Sequence, residues 1–398
     1  MISTQPIRNS PASPDQQLAS AVRDCNTPLV CVALAGGADP NYRECGRPMM
    51  VLAAELGSIK LLRRLLDLGG ASVHQADDRG FTPLHMASEC GHCQAVRLLL
   101  QHGARVAAQD NKGWTPLHYA TYKGHRRATE LLLLAGASPN PRDINGRTPL
   151  FWGPIVHDDL KLARILFSHG ADVEAIDARG NTPLHYAAQM GRTGIIDTFL
   201  RHGANIHAFD KNGYTALHYA AQLHEPRTAT MLLKNGADFR MIDRHGNTPL
   251  HLAALFDRPN VVLVFLAVGA DPMAQNKSGQ SPLDLAVGPR RGIGGEGAVA
   301  MLRRNPKIPS LTICRLLRNT VRRAIWVQGS NALVSELLDR GVSPASLNAQ
   351  DFQIMLAHAA NHNRANGTTG IPQKILEVAR MLANRGCRIP PHLTCELL

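Results

Sequence analysis

A Gly-Ala pair recurs at 37–38, 70–71, 103–104, 136–137, 170–171, 203–204, 236–237 and 269–270, in steps of 33, 33, 33, 34, 33, 33 and 33 residues. A second marker runs in phase with it. Thr-Pro-Leu-His stands at 82–85, 115–118, 182–185 and 248–251, with the variants Thr-Pro-Leu-Phe at 148–151, Thr-Ala-Leu-His at 215–218 and Ser-Pro-Leu-Asp at 281–284. Two markers that hold one period over this distance define a repeat. Each period is one small unit that buries its apolar face only against neighbours, so the units must stack.

The unit can be read from its residues. Thr suits a helix N-cap, and the Pro after it suits the first helical position, where no N–H is needed. Leu84 and Ala87, or Leu117 and Ala120, place apolar groups on one helix face. Gly91 or Gly124 ends that helix, and a second one follows through Val96, Leu99 and Leu100, or Leu131, Leu132 and Leu133. The Gly of Gly-Ala stops it, because Gly enters the left-handed region freely. A stretch such as 109–113 then turns into the next unit.

Asp-x-x-Gly-x-Thr-Pro-Leu-His, followed by Gly-His and Gly-Ala, is met nearly throughout 110–137, and the chain resembles an ankyrin-repeat protein over 46–287. The resemblance implies an all-α repeat solenoid: helix-turn-helix units in a curved array with short β-turn or hairpin tips. Residues 1–14 are expected to be a disordered tail, and the same polar, Pro-containing composition runs on to Gln17. Residues 15–45 read as a degenerate capping repeat, 288–310 as a basic Gly/Pro-containing insertion, and 311–398 as divergent repeats. Second helices are expected at 331–341 and 374–386, with 361–371 as an inserted loop.

Composition agrees with many small helix contacts: the hydrophobic share is 44% and the aromatic share only 5%. No apolar run of membrane-spanning length and no secretory signal is present, so a cytoplasmic or nuclear monomer with reduced thiols is expected. Most of the eight cysteines are expected to be small buried residues. The net charge of +12 is concentrated near the C-terminus, where 288–398 hold fifteen basic and six acidic side chains.

Several strings look like chemistry. Cys90-Gly-His-Cys93 spells a disulfide oxidoreductase tetrapeptide, but it lies on the turn between two helices with no strand before it. Gly292-x-Gly294-x-x-Gly297 matches a dinucleotide fingerprint, yet a helix rather than a strand precedes it. The histidines are mostly frame residues: His85, His118, His185, His218 and His251 hold the motif position. Ser310, Leu311 and Cys314 resemble a ubiquitin-ligase adaptor box with its spacing one residue short. No catalytic residue, metal ligand or cofactor is expected.

Recognition is expected on the concave side, where the resemblance puts variable residues at the two positions after the turn Asp, before the motif Thr and before the turn Gly. The candidates are Phe81, Trp114, Tyr122, Lys123, Arg147, Trp152, Met190, Tyr214, Leu223 and Phe256. Aromatics, Met and Arg are the residues of protein-binding hot spots. Tyr119, Tyr186 and Tyr219 are assigned to packing. Gly153 and Pro154 fall inside the fourth first helix; the leading expectation is an irregular unit held by its neighbours, and the alternative is a kink that opens a pocket near Trp152. A basic patch comprises Arg290, Arg291, Arg303, Arg304, Lys307, Arg315, Arg318, Arg322 and Arg323, against Glu296 alone. The leading reading is a non-enzymatic scaffold or adaptor for a protein partner. The alternatives are a nuclear regulator whose basic C-terminal quarter contacts nucleic acid or an acidic partner, a ubiquitin-ligase adaptor, and an enzyme sited in the divergent repeats.

Overall fold

The structure is a computed structural model that describes residues 12–287, 296–305, 308–322, 330–340, 347, 351, 354 and 373–385. It divides into two compact units, 1–205 and 206–398, and the division falls inside the regular repeats. Both are stacks of helix pairs.

In the first unit α1 (Pro14–Arg23) pairs with α2 (Thr27–Ala35). A two-stranded hairpin, β1 (Arg43–Glu44) and β2 (Arg47–Pro48), follows. Its turn residues Cys45 and Gly46 both have positive φ, as a two-residue hairpin turn demands. The later pairs are α3 (Met49–Glu55) with α4 (Ile59–Asp67), α5 (Pro83–Glu89) with α6 (Cys93–Gln101), and α7 (Pro116–Tyr122) with α8 (Arg126–Leu134). Then come α9 (Gly153–His157) with α10 (Leu160–Ser168), and α11 (Pro183–Gln189) with α12 (Thr193–Arg201). First helices stack on first helices and second on second, so that Leu61, Leu62 and Leu65, or Val96 and Leu99, are fully covered.

The second unit holds α13 (Ala216–Ala220), α14 (Arg227–Lys234), α15 (Pro249–Leu255), α16 (Pro259–Ala267) and α17 (Pro282–Ala286). It continues with α18 (Glu296–Arg304), α19 (Ser310–Arg322), α20 (Ser330–Asp339) and α21 (Gln373–Asn384). The second-helix row runs α14, α16, α18, α20, α21. Thus α20 and α21 occupy the two expected second-helix positions. Residues 361–371 lie outside the described residues, as do 1–11.

Two boundaries need correction. The polar N-terminus does not stay unfolded to residue 14 and beyond, because α1 starts at Pro14. Ser13 accepts from the Gln16 N–H while the Gln16 side chain accepts from the Ser13 N–H, a closed capping box. The insertion does not reach 310 either. Residues 296–304 form the second helix of the unit that α17 opens, burying Ala298, Met301 and Leu302 against its neighbours. Gly and Arg density hid that apolar stripe.

The motif histidine explains why the units hold together. Thr82, Thr115, Thr182, Thr215 and Thr248 are N-caps, with His at the position where a capping box usually carries Glu or Gln. His118 Nδ1 accepts from the Thr115 N–H at 3.1 Å and faces its hydroxyl at 3.0 Å. That leaves the proton on Nε2, which donates to the Arg147 carbonyl of the next unit at 3.2 Å. His85 reaches the Trp114 carbonyl in the same way, and in the second unit His218 reaches Asn247 and His251 reaches Gln280. The turns add a second seam: Asn111 N–H to Arg79 O, Ile144 N–H to Lys112 O and Ala178 N–H to Asn145 O.

Only a neutral imidazole can make this pattern, since a protonated Nδ1 would point a hydrogen at the Thr N–H. Burial holds His118 down to about 4, and also lowers His85 and His251 from their ordinary value. The unfolded chain therefore binds more protons than the folded one between pH 6.5 and about 4, and stability falls as pH drops through that window. His118 alone accounts for roughly 3 kcal/mol once the window is crossed. The thermal midpoint should drop steadily across it, and His118→Asn should flatten the slope. A midpoint that stays constant down to pH 4 would refute the neutral-histidine account.

Candidate functional site

The fourth unit of the regular frame lacks the histidine, and its neighbourhood differs accordingly. Phe151 fills the motif position, so Thr148 Oγ1 is buried without a partner. The helix breaks into a 3-10 turn over Pro149–Phe151 and α9, with Trp152 between them at φ −115° and ψ −79°. Pro154 therefore does not kink a continuous helix. It sits in the first turn of a restarted one, where its missing N–H costs nothing. Gly153 is required by close approach: a Cβ there would lie 2.1 Å from the Thr121 carbonyl oxygen on α7.

This break puts Trp152 against the third unit. Its ring centroid lies 5.5 Å from Trp114 and 6.0 Å from Tyr122, which meets it edge-on at 90°. Trp114 and Tyr122 are themselves 5.4 Å apart. Arg147 lies over Trp152 at 5.0 Å and over Tyr186 at 5.2 Å, and pairs with Asp177 at 3.6 Å. Such edge and cation contacts each contribute about 0.5–1.5 kcal/mol beyond burial. Trp152 is thus a ring packed into an aromatic cluster within an irregular unit held by its neighbours, rather than the wall of a pocket.

The turn aspartates position these side chains. Asp110 Oδ1 accepts from the Lys112 and Trp114 N–H groups at 2.8 Å each, while its Oδ2 accepts from the Tyr119 hydroxyl at 2.7 Å. Asp177 receives Tyr186, and in the second unit Asp210 receives Tyr219, by the same nine-residue reach. Tyr119, Tyr186 and Tyr219 are packing residues, as expected. Burial and the Asp110 carboxylate push the Tyr119 phenol far above its ordinary range. Trp114 Nε1 donates to Asp143 Oδ2 at 3.2 Å, while Trp152 Nε1 is buried with no acceptor.

The expected binding residues separate on exposure. Phe81 is only 4% exposed, wedged between Arg79 and Tyr119, and is a packing residue rather than a contact residue. Trp114, Arg147 and Trp152 are half-buried. Tyr122 is 37% and Met190 44% exposed, and Lys123, over the Tyr122 ring, pairs with Glu89 at 3.4 Å. These residues belong to the first unit. In the second unit Tyr214 is half-buried and stacked on His218, and Leu223 and Phe256 are half-buried.

The turn tips were expected to take part in recognition, but none of their residues was among the named candidates. Ile144 is 71% exposed, and Ile176 beside the next turn Asp is exposed too. Phe209 and Ile242 hold the matching position in the second unit and are exposed. The signal was present: an apolar residue directly precedes Asp177, Asp210 and Asp243 in consecutive periods.

The chemistry-like strings are absorbed by the frame. Burial, then Glu89 and Glu55, pushes the Cys90 thiol up, the opposite of what a redox nucleophile needs. Gly297 N–H donates to Asp257 Oδ1 at 2.9 Å, and Gly292 and Gly294 lie outside the described residues. Ser310 to Cys314 falls within α19. The cysteines are less covered than expected: Cys25 and Cys45 are exposed, and Cys31, Cys90, Cys93 and Cys314 half-buried.

Of the basic patch, the side chains of Arg303, Arg304, Arg315 and Arg318 are described; Arg290, Arg291, Lys307 and Arg323 lie outside the described residues, as does the side chain of Arg322. Three of the four have acidic partners from outside the basic segment: Arg303 with Glu336 at 3.0 Å, Arg315 with Asp284 at 2.9 Å and Arg318 with Asp351 at 3.5 Å. Glu296 is the one acid within the segment, and these partners come from outside it. Arg315 has a structural task, because Asp284 replaces the motif histidine and the guanidinium links it to the next unit.

A family model described as ankyrin repeats in three copies matches 18–110, 155–243 and 203–276, together more than half of the chain. A second, for many copies, matches 91–133. The chain belongs to the ankyrin-repeat family. Among similar curated proteins, alpha-latrocrustotoxin-Lt1a of Latrodectus tredecimguttatus is 30% identical over 84 residues, which is 21% of this chain and 6% of the toxin. Potassium channel KOR1 of Oryza sativa subsp. japonica is 40% identical over 84 residues, 21% of this chain and 10% of the channel. The chain spans a tenth or less of either relative. The crystal structure of the ankyrin repeat domain of Bcl-3, a member of the IkappaB protein family, is similar at 30% identity and a TM-score of 0.47, covering 52% of this chain and 95% of that one. Among the described residues, no helix of this ankyrin-repeat chain is long and apolar enough to cross a membrane.

The unpaired indole gives a test of the cluster. Trp152→Phe keeps a ring against Trp114 and removes a buried donor that has no acceptor, so stability should hold or rise by up to about 1 kcal/mol. Trp152→Ala should lose about 3 kcal/mol or more. Chemical denaturation of both variants checks this; equal losses would mean that the indole N–H is satisfied.

Proposed function

We propose that the chain is a non-enzymatic scaffold or adaptor that engages a protein partner through the aromatic surface of its third to fifth regular repeats. Family membership supports a protein-interaction domain in general terms. The observation that carries the finer reading is the arrangement around Trp114. An aromatic cluster, tied by Asp143, Arg147 and the His85 link, includes the exposed Tyr122, and the same repeats carry the exposed Ile144, Ile176 and Met190. Pre-ordered aromatic side chains bordered by exposed apolar ones lose little entropy on binding, which is the character of hot spots. The pairing of three basic-patch arginines with carboxylates favours a protein over nucleic acid as the ligand.

Affinity capture with mass spectrometry tests the assignment. Tyr122→Ala/Met190→Ala should release at least one partner that the wild type and Leu134→Ala both retain, with affinity for the purified partner falling by about thirtyfold. Leu134 is exposed on the second-helix row and serves as the control. If the double variant keeps its circular dichroism spectrum and every partner, recognition lies elsewhere.

A further inference from the structure

From α3 to α11, charge is sorted by helix row. The second helices α4, α6, α8 and α10 carry eight Lys and Arg against two acids, Asp67 and Glu130. The first helices α3, α5, α7, α9 and α11 carry no Lys or Arg and two acids, Glu55 and Glu89. The near-neutral totals of this part of the chain conceal a cationic side and an anionic side. Only part of the cationic side is neutralised: Arg126 is bonded to Asp159, the N-cap of α10.

On that side lies an open groove of about 430 Å³ between α4, α6 and α8. Its floor is aliphatic, made by Ile59, Leu98 and Leu131, and Arg63, Arg97 and Arg127 stand along it. Among the described residues Arg63 and Arg97 have no carboxylate partner. Arg127 has Glu130 at 2.6 Å on its own helix, an exposed pair that contributes little and can exchange. Asp67, the other acid of the row, lies 3.9 Å from His102 Nε2. Three guanidiniums thus line an apolar floor with one weakly held counter-charge.

We propose that this groove is a second binding site, separate from the aromatic surface, for a short acidic peptide segment that carries aliphatic residues between its carboxylates. Arg presents a planar fork that takes a carboxylate through two parallel hydrogen bonds. The aliphatic floor accepts the side chains between them. A nucleic-acid strand fits less well, because the lining contains no aromatic ring on which a base could stack. The groove draws on three consecutive repeats, so it exists only where the stack is intact.

Fluorescence anisotropy on the full chain tests the proposal, with a fluorescein-labelled peptide of Glu, Leu and Ala as probe. A matched peptide with Gln for Glu and a thymidine oligonucleotide of equal charge are the comparison probes. The Glu peptide should bind saturably, and the Gln peptide roughly tenfold more weakly. Arg63→Gln/Arg97→Gln/Arg127→Gln should weaken the Glu peptide by a similar factor, while Tyr122→Ala should leave it unchanged. Cys93, in the groove wall, adds a readout that needs no variant: the bound peptide should slow its alkylation relative to Cys45. No saturable binding, full binding by the triple variant, or unchanged Cys93 alkylation overturns the proposal. An oligonucleotide that binds as tightly as the peptide and is lost in the same variant overturns the peptide assignment.

Discussion

A neutral imidazole that caps its own helix and donates to the next unit's carbonyl does two jobs with one side chain. Either job alone is modest, about 1 kcal/mol for a single hydrogen bond. Their combination matters because helix initiation and repeat stacking share the same group. A first helix whose cap fails also loses its grip on the next turn. Short helices of five to seven residues, such as α13 and α5, are marginal in isolation and exist because this coupling is repeated. Water exclusion around the ring keeps it neutral, so the packing that the histidine secures is also what keeps it in the working state.

Where the frame departs from Thr-Pro-Leu-His, different chemistry fills the same roles. At Ser281 the cap partner is Asp284, and Arg315 supplies the link onward through an ion pair. The residue after the left-handed turn position, which is Gly before His92, His125 and Arg192 and Asp257 before Arg258, shows the same freedom. His92 and His125 donate back to the carbonyls of Glu55 and Glu89, and Arg192 and Arg258 reach the corresponding carbonyls of Ile155 and Gln222. What is kept from unit to unit is a donor aimed at a neighbour's carbonyl. Which side chain provides it is secondary.

That distinction explains what could be read from the sequence. The helix pairs over 46–287 were legible because Thr-Pro, the turn Gly and Gly-Ala are local signals, each satisfied within a few residues. The helix at 296–304 was not, because its apolar spacing is overlaid by Gly and Arg, and only the second-helix row identifies it. Exposure was the least legible property. Phe81 and Trp114 hold the same frame position, yet Phe81 is covered by Tyr119 and Arg79, while Trp114 is half-buried and borders the surface. The arginines of the C-terminal quarter read as a free patch because Asp284, Glu336 and Asp351 are remote in sequence. Conversely, the cationic row of α4 to α10 was cancelled in the totals by acids that lie mostly in the turns.

The aromatic cluster sits at a repeat that keeps the motif Thr but lacks both its cap partner and the inter-repeat histidine, and this placement has a physical basis. Phe151 leaves Thr148 unpaired and leaves the junction to α11 without its usual bond. Arg147 closes part of that gap by reaching Asp177 and covering Trp152 and Tyr186, and Gly153 lets α9 press onto α7. Stacking forces, which tolerate small displacements, replace a directional hydrogen bond. The junction is therefore held by ring packing and one guanidinium rather than by the cap-and-donor histidine used at its neighbours. Restoring histidine at 151 would stiffen the junction only if the Trp152 backbone returned to a helical conformation, and the close approach of Gly153 to Thr121 would then be lost.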